Sequence, residues 1–351
     1  MSHERLLDNI NFQAVDPKDM YYHVDHFPTL CHDAYQFTKS IEIPASFMGL
    51  KKIVFTGMGG SGQTGDIAKS YLIERTDLVV ESVHNYILPG WVDDDTLVIA
   101  NSYSGNTEET LASLEIAHKK NAKLIAISTG GKIADHAKRD GAVFVKFDYK
   151  SAPRAAFPYL FIIVATILAK LGHLDLDEKK MTAVVEMLQE YRAKYTATIP
   201  FAKNQAKKQA VEIYGKIPVV YASEKLSAVA GRMKAAFNEN SKNFAYVEEF
   251  PELNHKSLEG LLNPKGMVHM LMLESNFEQK RNLMREHISA EILKKYDTHY
   301  DVLKFPVATT WLKEILLFVM FGDFVSYYLA ILNHANPGIN DIVDYLKEKM
   351  A

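Results

Sequence analysis

Short apolar runs alternate with longer amphipathic stretches from residue 51 onward. The runs KIVFT (52–56), LVVESV (78–83), TLVIANS (96–102), KLIAIST (123–129) and AVFVKF (142–147) predict strands. DIAKSYLIER (66–75), EETLASLEIAHKK (108–120) and KIADHAKRD (132–140) predict the helices between them. Strands alternating with helices in this way imply βαβ units, helices on both faces of a parallel sheet, and a site at the carboxyl ends of the strands. After a helical region over about 155–203, a second set follows: IPVVYASE (217–224), FAYVEEF (244–250), MVHMLMLES (267–275) and DVLKF (301–305). The chain closes on a long apolar helix, a turn at Asn336-Pro337-Gly338 and the short helix INDIVDYLKEKM. The expected fold class is α/β, with two doubly wound parallel-sheet domains of flavodoxin-like plan in tandem. A length of 351 residues also asks for two cores rather than one.

Composition narrows the function by exclusion. A net charge of −3 without blocks of like charge gives no nucleic-acid footprint, so any anion must be held locally. The single cysteine, Cys31, allows no internal disulfide and suits a reducing compartment, where it reads as a bystander thiol. MSHERLLDNI lacks the apolar core of a signal peptide. Two stretches look membrane-like, but 155–169 is short for a span and 311–332 carries Lys313, Glu314 and Asp323; both read as buried helices. The expectation is a cytoplasmic protein with neither membrane nor nucleic acid as partner.

Two loops carry the candidate chemistry. TGMGGSGQTGD contains Gly57-x-Gly59-x-x-Gly62 between a strand and a helix, with Glu81 on the next strand, which is also the dinucleotide-binding pattern. Glycines there let backbone N–H groups approach any phosphate at a helix N-terminus. The second loop, NSYSGNTEET, places Ser102, Ser104 and Thr107 around Gly105. Several hydroxyls converging with N–H groups suit the three terminal oxygens of a phosphate monoester. The structural alternative is that Ser104 or Asn106 caps the following helix, which would use one hydroxyl of the three. No lysine follows the glycines as a nucleoside triphosphate site would require.

GMGGSG, NSYSGNTEET and STGGK, in this order, resemble the sugar isomerase (SIS) domain. APRAAFPYLF, FNENSK and FPELNHKSLEG then resemble the bifunctional phosphoglucose/phosphomannose isomerase family, and the similarity runs from about Asp16 to the last helix. The resemblance implies an SIS domain over 1–160, a helical connection over 161–205 and an SIS-like domain over 206–351. It implies an aldose–ketose isomerase for glucose 6-phosphate and fructose 6-phosphate, and also mannose 6-phosphate, working through an enediolate without cofactor or metal. Gly59, Gly60, Ser61, Ser102, Ser104 and Thr107 would hold the phosphate. Glu239 would be the base, Arg154 would stabilise the enediolate, and His255 would open the ring after reaching the site across a homodimer interface. Lys347 would assist at the ring oxygen, with Lys349 two positions on as an alternative. By residue type alone, Glu239 could be a solvated helix residue, Arg154 a structural ion-pair member, His255 structural and Lys347 an exposed helix lysine. Lys256, Phe157-Pro158 and Gly338 depart from the family's usual asparagine, Leu-Gly and threonine. Two other classes stay open: an NAD-dependent oxidoreductase built on Gly57, Gly59, Gly62 and Glu81, and a non-catalytic phosphosugar-binding regulator.

Overall fold

In a computed structural model, which describes residues 2–263 and 265–350, every expected strand forms. They are β1 (Lys52–Thr56), β2 (Val79–Val83), β3 (Thr96–Asn101), β4 (Lys123–Ser128), β5 (Val143–Lys146), β6 (Ile217–Ala222), β7 (Tyr246–Glu249), β8 (Val268–Leu273) and β9 (Tyr300–Leu303). The first five make one sheet in the order β2-β1-β3-β4-β5, and the last four make another in the order β7-β6-β8-β9. All pairings are parallel, with register such as Val54 opposite Val98 and Val220 opposite Leu271. All six residues of β3 are buried, as a parallel strand covered on both faces requires. In each sheet the order reverses between its first and third strands: β1 and β3 in one, β6 and β8 in the other. Such a switch point opens a crevice at the strands' carboxyl ends.

The chain divides into two compact units, residues 27–186 and residues 1–26 joined to 187–351. The division differs in placement from the tandem boundaries expected at 160 and 205. The first 26 residues belong with the second sheet, and the boundary falls inside the helix Glu178–Tyr195. Contacts in that unit explain the grouping: helix His3–Asp8 packs against helix Trp311–Leu332, and the Tyr327 hydroxyl donates to Asp16 Oδ2 at 3.1 Å.

Among the described residues two helices are long and apolar enough to cross a membrane by length and composition, Pro153–Lys170 and Trp311–Leu332, and 83% and 100% of their apolar windows are buried within the protein. Trp311–Leu332 buries every residue but Lys313 and packs against helices Glu224–Ser241 and Gln205–Ile213. Its polar groups are satisfied internally: Asp323 pairs with Arg232 at 2.8 Å, and Ser326 accepts from Asn240 at 3.0 Å. A core helix tolerates charge on these terms, because each buried polar group has a partner.

Candidate active site

At the end of β1 the chain turns into helix Gly59–Arg75, whose N-cap, Met58, offers no side-chain cap. At the end of β3, helix Glu108–Lys119 begins after Thr107, which also makes no side-chain cap bond. The capping alternative for Ser104 and Asn106 therefore fails, since the cap position is Thr107 and its hydroxyl turns elsewhere. Thr107 Oγ1 lies 2.9 Å from Ser102 Oγ, which also accepts from the Gly105 N–H at 3.1 Å. Ser61 Oγ accepts from the Tyr103 N–H at 3.1 Å, stitching the two loops together. Ser61 and Ser102 are buried, Thr107 is half-buried and Ser104 is exposed, with its hydroxyl accepting from the Asn106 N–H at 3.3 Å.

The loops meet each other and the turn after β4 so closely that only glycine fits at these contact points. A Cβ on Gly57 would lie 2.5 Å from the Asn101 carbonyl oxygen, and one on Gly105, where φ is +70°, would lie 1.7 Å from the Gly130 oxygen. Gly60 faces the segment bearing Arg154, with a built Cβ 3.4 Å from Arg154 Cα. Arg154 is buried in a short 3-10 turn, Pro153–Ala156, where Pro153 fixes the entry. The structure thus brings Gly60, Ser61, Ser102, Thr107 and the Arg154 backbone into one neighbourhood within the 27–186 unit.

Two residues that sequence reasoning passed over brace this region. His84 Nδ1 is 2.7 Å from the Gly57 oxygen and Nε2 is 2.7 Å from Asp66 Oδ1. Both partners are acceptors, so the imidazolium form satisfies both, and the Asp66 hydrogen bond leads the causes that raise the His84 pKa. Tyr103 sends its hydroxyl to the backbone of Tyr149 and Ser151, just before Arg154.

Glu81, the acid that would hold a dinucleotide ribose, is occupied otherwise. It is paired with Lys69 from the helix after the glycines and accepts from the Ser82 N–H at 2.9 Å. Burial opposes its ionisation, but the Lys69 bond and the Ser82 N–H outweigh it and leave the pKa lowered. Cys31 is fully buried and its thiol pKa is pushed up by burial, which fits a bystander rather than a nucleophile.

The remaining candidates lie in the other unit. Glu239 is half-buried near the end of helix Glu224–Ser241, and Asn340 Nδ2 donates to its Oε2 at 3.1 Å. Lys242 Nζ binds both the Glu239 and Ile339 carbonyls, so the segment after the Asn336-Pro337-Gly338 turn is tied to the helix end. Gly338 is required by packing there: a Cβ would fall 2.6 Å from Lys18 Cβ, so a threonine would displace Lys18. His255 is exposed on the short helix Leu253–Lys256. Lys347 is exposed on helix Asp341–Met350, 3.8 Å from Asp344, and Lys349 lies over the Tyr345 ring. Among the described residues no group of three or more His, Cys, Asp or Glu side chains is placed to hold a metal ion.

Two family models match the chain: the SIS domain over residues 47–168, and the bacterial phospho-glucose isomerase C-terminal SIS domain over residues 202–350. A bifunctional phosphoglucose/phosphomannose isomerase from Caldicellulosiruptor bescii is 34% identical over 336 residues, covering 95% of this chain and 99% of that protein. The chain belongs to the bifunctional phosphoglucose/phosphomannose isomerase family. A second member, from Aquifex aeolicus, is 33% identical over 304 residues, 86% of this chain and 90% of its own. The tagatose-6-phosphate ketose/aldose isomerase of Escherichia coli shares the fold, with a TM-score of 0.70 at 14% identity over 91% of this chain and 94% of its own. Membership in this isomerase family does not favour the oxidoreductase and regulator readings, and the Lys69–Glu81 pair supplies a local physical reason against the first.

Proposed function

We propose that this protein is an aldose–ketose isomerase that interconverts glucose 6-phosphate, mannose 6-phosphate and fructose 6-phosphate by proton transfer through a cis-enediolate. The observation that carries the reading is the closure of two donor-rich loops on each other at the β1/β3 switch point, in a chain similar along nearly its whole length to bifunctional isomerases. Gly59, Gly60 and Ser61 with Ser102, Ser104 and Thr107 hold the phosphate through hydroxyls and helix-start N–H groups. Arg154 offsets the negative charge that develops on the enediolate oxygen, and its burial strengthens that interaction. Glu239 carries the proton between C1 and C2, with Asn340 fixing one carboxylate oxygen. His255 opens the sugar ring as acid and base, assisted by Lys347.

The exposure of His255 supports a homodimer in which it serves the partner's substrate. Activity that persists per chain in fully dissociated monomers would rule that arrangement out. The lone buried Cys31 supports a cytoplasmic location. A coupled assay should detect fructose 6-phosphate from both aldose phosphates. In deuterated water, Glu239→Gln should abolish exchange at C2 while sugar-phosphate binding survives. Exchange at the wild-type rate would remove Glu239 from the role of base.

A further inference from the structure

The hydroxyl loop contains one side chain that the phosphate reading leaves unused. Tyr103 stands between Ser102 and Ser104, yet its ring lies near Phe147, at 6.1 Å between centroids. Its main chain belongs to the loop system: the N–H donates to Ser61 Oγ at 3.1 Å, and the carbonyl accepts from the Thr129 N–H at 3.1 Å and hydroxyl at 2.8 Å. Its phenol belongs to a different segment. The hydroxyl proton faces the carbonyls of Tyr149 at 2.7 Å and Ser151 at 3.0 Å, while the oxygen accepts from the Ser151 N–H at 2.8 Å.

Three backbone groups of two residues, Tyr149 and Ser151, therefore converge on one phenolic oxygen. The segment they fix runs through Ala152 and Pro153 directly to Arg154, whose Cα sits against Gly60 of the other loop. Proline at 153 passes the constraint on, because its ring fixes its own φ and restricts Ala152 before it, leaving little freedom between Ser151 and Arg154. Tyr149 and Phe147 in turn stack on Tyr159 at 5.8 and 5.4 Å, so the strut ends in the packed helix Phe157–Lys170.

We propose that Tyr103 is a positioning residue that sets Arg154 in register with the phosphate loops, so that a substrate gripped by its phosphate presents its reacting oxygen to the guanidinium. One residue joins the binding loop, through its main chain, to the charge-stabilising residue, through its side chain. The inference rests on the isomerase reading and on the role of Arg154 in it.

Tyr103→Phe removes the three phenolic hydrogen bonds and keeps the ring, the main-chain bonds and every phosphate ligand. Activity is counted per site that binds a hexitol 6-phosphate, a probe without a carbonyl, so misfolded protein drops out. The expected result is a kcat lowered about 10- to 100-fold, the scale of an ångström-sized misplacement, with KM and hexitol phosphate affinity within about twofold. The double variant with Arg154→Lys should be no slower than Arg154→Lys alone, because the two act through one group. A Tyr103→Phe kcat at the wild-type level, a parallel loss of phosphate affinity, or full additivity with a damaging Arg154→Lys would each overturn the proposal while leaving the isomerase reading in place. An Arg154→Lys variant of wild-type activity would instead remove the assigned role of Arg154, and the proposal with it.

Discussion

The crevice at β1/β3 and the crevice at β6/β8 arise from the same topology and hold opposite chemistry. The first is lined by glycines and hydroxyls at two helix starts. The corresponding ends of β6 and β8 carry Ser223, Glu274 and Ser275, backed by Glu286 and Glu314. There each hydroxyl is spent on a carboxylate: Ser223 donates to Glu286, and Ser275 donates to Glu314 at 2.7 Å. Glu274 is held by Lys304 and by His287 at 3.1 Å. A crevice whose hydroxyls are committed to its own acids offers them to no phosphate, whereas one that keeps donors at helix starts attracts it. The doubly wound plan supplies a location, and the loop residues decide what is bound there.

Gly105 is where a single methyl group should do most damage to the first crevice. Gly105→Ala forces a Cβ toward the Gly130 oxygen at a positive φ, and it should cost roughly 3–4 kcal/mol in urea unfolding and abolish phosphate binding by calorimetry. A variant with normal stability would show that the loops are not pressed together as described.

Glu286 tests the other crevice. Burial leads the causes that push its pKa up from 4.5 to about 7, against the Ser223 hydrogen bond. The native state therefore holds a proton that the unfolded chain releases, and stability falls as pH rises from about 4.5 to 7 and stays lower above it. Glu286→Gln removes that slope, so its advantage over wild type should grow by about 3 kcal/mol between pH 4 and pH 8 in urea melts. Parallel stability–pH curves would contradict the buried-acid account.

Single substitutions at the hydroxyls sharpen the contrast. Ser104→Ala and Thr107→Ala should each weaken substrate affinity by roughly 1–3 kcal/mol, the worth of a hydrogen bond to a charged group, read as a higher KM. Unchanged KM in both would take the phosphate away from this loop. The smallest effect is expected at Gly231, in helix Glu224–Ser241, where a Cβ meets nothing within 4 Å. Gly231→Ala should stabilise by about 0.5–1 kcal/mol in thermal melts without touching activity.

The central strands were legible because buried parallel strands must be apolar throughout, and each predicted run, edge strands included, lies within a residue or two of its strand. The two loops proposed to hold the phosphate were legible for a related reason: their glycines and hydroxyls cluster in sequence, at Gly57–Gly62 and Ser102–Thr107. Long-range partners left no such mark. Tyr103 reaches backbone groups 46 and 48 residues away, which any sequence supplies, and Asn340 lies 101 residues from Glu239. Glu81 fitted a dinucleotide pattern until Lys69, 12 residues earlier, took its carboxylate. The grouping of residues 1–26 with the second sheet was hidden because it depends on what Asp16 and the first helix touch, not on local pattern.

That grouping has a consequence for biosynthesis. The unit over residues 27–186 is one uninterrupted stretch and is complete while translation continues. Asp16, in contrast, emerges 311 residues ahead of the tyrosine that binds it. Asp16 therefore stays undocked until Tyr327 has been made, so that unit closes only after the 27–186 stretch has been synthesised.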